Sequence, residues 1–162
     1  MVKWFRLFGE QYVGFWFFGL ILFILQEVPY IVMPLLTLNS NPVMGMQETS
    51  FVLNFFEKVL GISCVLVMCF IVQKRETFFT IGSGINKAGF VLAILILLAN
   101  YFGWMLYFSG YQSRWIILAF LVSLPPLYYA AIGLWRENWI LLVLGITFGV
   151  VHFIHVYGNL AI

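Results

Sequence analysis

One stretch limits what this chain can become: Tyr12 to Leu38, which reads YVGFWFFGLILFILQEVPYIVMPLLTL. It is too long and too apolar for a surface helix and has the length of a membrane span, which needs about 20 mostly apolar residues. Near its middle sit Gln26 and Glu27, followed by Pro29 and Pro34. A carboxylate at membrane depth costs roughly 2.5–3.5 kcal/mol on insertion scales, so it marks a functional position by default.

Four further runs of the same kind follow, so the expected fold class is an all-α integral membrane protein, a compact bundle of five transmembrane helices in one domain, 1–162. The spans read as about 12–37, 51–72, 88–107, 115–135 and 139–160. Composition agrees: 64% of the residues are hydrophobic and 9% charged, against about 25% charged in soluble domains. The runs are continuous, without the alternation of a membrane β-barrel. Residues 1–11 read as a short amphipathic lead, with Lys3 and Arg6 beside Trp4, Phe5 and Phe8, suited to the headgroup layer. The apolar stretch behind that lead is longer than a signal peptide's core and has no small-residue cleavage site, so the first span is expected to be retained. Residues 39–50 form a loop with turn residues Asn39, Asn41, Pro42 and Gly45, and Thr49 or Ser50 would cap the second helix. Pro125 and Pro126 predict a kink in span four. Arg136, Glu137 and Asn138, flanked by Trp135 and Trp139, join spans four and five as a hairpin with aromatic anchors.

Cations set the expected orientation. With the N-terminus inside, Lys3, Arg6, Lys74, Arg75, Lys87 and Arg136 fall on the inner side and Arg114 alone on the outer side. The expected topology is N-in and C-out, in the cell membrane. The net charge of +2 is small and spread beside the spans, so no nucleic-acid partner is expected. Cys64 and Cys69 read as packed free thiols and imply no redox compartment.

That threading gathers polar residues in the outer half of the bilayer. At 1.5 Å per residue, Glu57 lies about 9 Å below the outer edge, Asn100 about 10 Å, His155 about 8 Å, His152 about 12 Å and Glu27 roughly 15 Å. Asn54, Glu57, Gly61 and Cys64 share one face of span two; Phe148, His152, His155 and Asn159 share one face of span five. Such stripes must face protein or a wet cavity, because lipid offers no hydrogen bonds. We expect a pocket open to the outer side and lined by Glu27, Glu57, Asn100, His152 and His155, with Gln26, Asn54 and Asn159 as secondary members.

Each residue also has a plainer reading. Glu57 and Lys58 could be a span-end charge pair with Lys58 reaching to the interface. The histidines and Asn100 could be hydrogen bonds between helices, and Gly145 with Gly149 a close-packing pair. Two histidines three apart with distant carboxylates would suit zinc, but the pattern is not HExxH, and no metal or other cofactor is assigned. No nucleophile elbow and no phosphate loop is present: the GSG of 82–84 lacks the lysine. In span count and size the chain is similar to the tryptophan-rich translocator protein family and to the sterol-isomerase-like fold; no run of either family's motif residues aligns, so no residue role carries over.

Three functions fit these residues. The first is a binding or transport-accessory protein that takes a small ligand, cation or proton in the outer pocket, set in membrane lipid and working as a homodimer or with a larger partner. The second is an intramembrane enzyme on a lipid-like substrate, using Glu and His as acid and base. The third is a structural, assembly or immunity subunit.

Overall fold

The computed structural model describes residues 2–38, 40–73 and 79–160. Asn39, Lys74 and Arg75, which entered the loop and charge readings above, lie outside the described residues. Among the described residues five helices are long and apolar enough to cross a membrane: α1, Phe17–Leu35, closing in a 3-10 turn; α2, Phe51–Phe70; α3, Ile85–Phe108; α4, Arg114–Trp135; and α5, Trp139–Asn159. They alternate in direction. One end of the bundle, the hairpin end, carries residues 2–15; the other, the loop end, carries residues 36–38 and 40–50.

The amphipathic lead is the first correction. Val2–Phe8 (β1) and Gln11–Phe15 (β2) form an antiparallel hairpin, and Ile71–Gln73 (β3), continuing directly from α2, pairs with β2 through Tyr12 and Val72. The bundle itself is all-helical, but a three-stranded sheet joins it at one end, so the chain as a whole is not all-α, and α1 starts at Phe17 rather than near Tyr12. The cause is local. Aromatic runs on both sides of Gly9-Glu10 are a hairpin signal, and Gly9 supplies the positive φ, 54°, that a two-residue turn needs. Ser50 caps α2 by accepting from the Leu53 amide, and Asn138 caps α5 by accepting from Leu141.

The hairpin end is closed by rings. Trp16, Phe18, Phe79, Phe90 and Trp135 pack edge to face, and the Trp135 indole donates to Thr80 O at 2.8 Å. Trp135 is thus a core residue rather than an interface anchor, whereas Trp139 is exposed as expected. Arg136, counted above among the inner-side cations, is buried with its guanidinium stacked over Trp16 at 3.7 Å.

Helix α4 is the core of the bundle: 67% of its most apolar stretch is buried, against 11% for α2. Its irregularity lies just before the proline pair, as a π-helical turn over Ile117–Val122, while the prolines occupy the first turn of Leu124–Trp135. In the π register residue i+5 donates to residue i. Pro125 and Pro126 stand at i+5 from Phe120 and Leu121 and have no N–H. Neighbouring helices answer both carbonyls: Asn100 Nδ2 donates to Phe120 O at 2.9 Å and Tyr30 Oη to Leu121 O at 2.6 Å. Ser123, at the step between the two segments, donates its hydroxyl to Leu118 O at 2.8 Å. Such repair of freed backbone groups is what a span needs where water is absent. Gly145 lets α5 lie against this region, since a Cβ there would sit 2.7 Å from the Ala130 amide, and Gly149 meets the Pro126 ring.

The outward faces are apolar. On α2, Phe51, Val52, Phe55, Phe56, Val59, Ile62 and Leu66 are exposed along one side. Burying this face in lipid would remove the cost of showing it to water.

Candidate functional site

Helices α2 and α5 turn their polar stripes toward each other near the loop end. Glu57 lies between the two histidines of α5: one carboxylate oxygen meets Nδ1 of His152, the other Nδ1 of His155. The spacing makes this natural. His152 and His155 are three apart on one helical face, and Glu57 reaches across from α2. Lys58 is exposed and forms no ion pair with Glu57 among the described residues, so the expected Glu57–Lys58 charge pair gives way to a carboxylate held by two imidazoles. The three side chains are largely buried, with 11–18% of their surface exposed.

The clamp forms part of the wall of a cavity of about 410 Å³ at the loop end. Asn54, Gly61, Phe148, Gln47, Glu48 and Lys58 also line it. Asn159 also borders it, but its Oδ1 accepts from both the amide and the hydroxyl of Thr49, at 3.0 and 2.5 Å, and so ties the loop to the end of α5. His155 Nε2 is buried without a partner among the described residues. A buried polar atom without a partner costs about 1–3 kcal/mol.

Glu27 lies elsewhere. It opens onto a second cavity of about 310 Å³ between α1 and α2, floored by α4 and α5. Gln26 is fully buried beside it and accepts from Tyr129 Oη at 3.3 Å. The two cavities share Gly61, Phe148 and His152. The His152 ring also borders a small chamber of about 50 Å³ with Tyr30 and Trp104. Phe148 stacks on His152 at 5.2 Å between ring centres, which steadies the ring at the junction.

No protein-family model, curated protein or solved structure matches this chain. Its chemistry therefore has to be read from its own residues.

Of the residues expected in one pocket, Glu57, His152 and His155 meet directly, and Asn54 and Asn159 join them. Glu27 and Gln26 occupy the adjoining cavity, which only His152 also borders among those expected residues. Asn100 lines neither; it is buried on α3 and serves the α4 backbone. Its Oδ1 is left without a partner among the described residues. Reasoning from depth alone placed these groups at one level, but depth does not say which helices are neighbours around the bundle. Tyr30 and Tyr129 were missed as cavity residues. Tyr30 carries a usable signal, lying three positions after Glu27 on the same helical face. Among the described residues no group of three or more histidines, cysteines, aspartates or glutamates is arranged to hold a metal ion.

The clamp can exchange protons within the cluster. A neutral imidazole is donor at one nitrogen and acceptor at the other, so a carboxylate touching two imidazoles forms a short chain of donors and acceptors from α2 to α5.

Proposed function

We propose that this is a multi-pass membrane binding or transport-accessory protein, N-terminus inside, whose loop-end pocket opens to the outer side of the cell membrane. It takes a small polar or cationic solute there and exchanges it against a proton on the Glu57–His152–His155 clamp. The observation that carries this reading is the clamp itself. Both histidines lie on an unbroken helix whose backbone needs nothing from them, and they converge on one carboxylate beside a cavity large enough for a solute. A buried group with no structural duty at membrane depth is costly to keep. The orphaned Nε2 of His155 is a contact that a bound solute would supply.

Methylammonium chloride, titrated into the reconstituted protein in weak buffer, tests the exchange. Protons should be released as the cation enters, and Glu57→Gln should abolish the release while Glu27→Gln leaves it. Equal release from wild type and Glu57→Gln ends the reading. A cysteine at Asn54, in a background lacking Cys64 and Cys69, should react with a charged thiol reagent added outside intact cells; reaction only after lysis reverses the orientation.

A second reading, an enzyme acting on a lipid-like substrate, is favoured by one observation. The acid-base pair borders, through His152, a cavity walled by apolar side chains.

A further inference from the structure

We infer that the Glu27 cavity is a second binding site, distinct from the clamp, and that it takes an organic ammonium ion. The walls supply the first part of the case. Phe23, Tyr30, Tyr129 and Phe148 bring four aromatic rings from three helices around one space, with Ile62 and Val65 completing it. Aromatic faces attract cations, and cages of rings around an ammonium group are a recurring means of recognising it. Such a cage without a charge would suit any apolar guest of the right size.

The carboxylate supplies the second part. Glu27 lies about 15 Å along α1 from Phe17, near mid-span. It has no hydrogen-bond or ion-pair partner among the described residues, whereas the neighbouring Gln26 is held by Tyr129. Among the described residues no lysine or arginine lines the cavity. The other titratable side chains that line it are His152 from α5, Tyr30 from α1 and Tyr129 from α4; His152 already spends Nδ1 on Glu57, Tyr30 donates to Leu121 O and Tyr129 to Gln26. A carboxylate left without a countercharge in an aromatic chamber is the complement of a positive, weakly hydrated guest. An inorganic cation would forfeit its water for one carboxylate and a set of rings. A substituted ammonium has little water to lose and an apolar surface to bury.

The opening supplies the third part. Ile62, 61% exposed, stands where the cavity meets the outer face of α2, so the chamber opens sideways between α1 and α2 toward the apolar surroundings of the bundle. The guest is thus a cation with an apolar body that arrives from the lipid side. Its volume is bounded by about 310 Å³, the size of a single substituted ring rather than of a whole lipid.

The proposal does not depend on the clamp, and the test separates the two. Benzyltrimethylammonium and its uncharged carbon isostere, neopentylbenzene, are titrated against the full chain in nanodiscs, with binding followed by saturation-transfer NMR. The ammonium should bind at least about ten-fold more tightly than the isostere, as expected for a desolvated cation–π contact joined to a carboxylate. Glu27→Gln should erase that preference, Glu27→Asp should keep most of it, and Glu57→Gln should move it less than two-fold. Three results would overturn the proposal: equal binding of the two probes, an unchanged preference in Glu27→Gln, or a preference lost in Glu57→Gln and kept in Glu27→Gln. If Glu27→Gln does not yield folded protein, the comparison of probes on the wild type and on Glu27→Asp still decides, since absence of an ammonium preference in both refutes it.

Discussion

Helices α4 and α2 both carry buried polar neighbours, but for opposite reasons. α4 is broken: a π turn and two prolines free carbonyls at Phe120 and Leu121, and Asn100 and Tyr30 are there to receive them. α2 is a regular helix with its backbone satisfied along its length, as is α5 opposite it. Glu57, His152 and His155 bond to one another and to no backbone group. Polar side chains beside a broken helix are explained by the break. Polar side chains between intact helices need another explanation, and the one proposed above is a binding site.

The comparison can be broken by experiment, most sharply at α4. Asn100→Leu combined with Tyr30→Phe should lower stability by about 3 kcal/mol in SDS unfolding titrations, because two buried carbonyls lose their donors. The same pair in a Pro125→Ala/Pro126→Ala background should cost less than about 1 kcal/mol, since the restored N–H groups can serve those carbonyls; an undiminished cost would disprove the repair account. Replacing the whole clamp, Glu57→Leu with His152→Phe and His155→Phe, should change stability by no more than about 1 kcal/mol, since trading a complete buried polar cluster for apolar groups is often neutral. A loss as large as that of the α4 pair would make the clamp structural. Smallest of all, Lys58→Ala should stay within about 0.5 kcal/mol, as for an exposed side chain with no partner among the described residues.

Much of this was legible beforehand, for physical reasons. The five helices follow from apolar length, and the polar stripes that carry Glu57 on α2 and the two histidines on α5 follow from helical periodicity; that those two stripes meet does not. Other features were hidden. The hairpin was obscured because Trp4, Phe5 and Phe8 suit a headgroup layer as well as a strand. Arg136 counts as an exposed cation in any charge tally, yet Trp16 gives it a stacked and buried place. Glu27 and Glu57 stand at comparable depths but in separate cavities, because the order of helices around a bundle leaves no trace in the spacing along one chain. Asn100 differed for a subtler reason. Its partner is a carbonyl, and which carbonyls go unserved depends on whether α4 winds as α or π before the prolines.

The direct passage from α2 into β3 has a mechanical consequence. With Val72 paired to Tyr12, α2 is tied to the sheet at its Phe70 end, while just before its Phe51 end Thr49 is latched to Asn159 of α5. Widening the gap beside Glu57 would then require that latch to open and the helix to swing about the sheet. One threonine–asparagine catch would set how readily the molecule admits a guest.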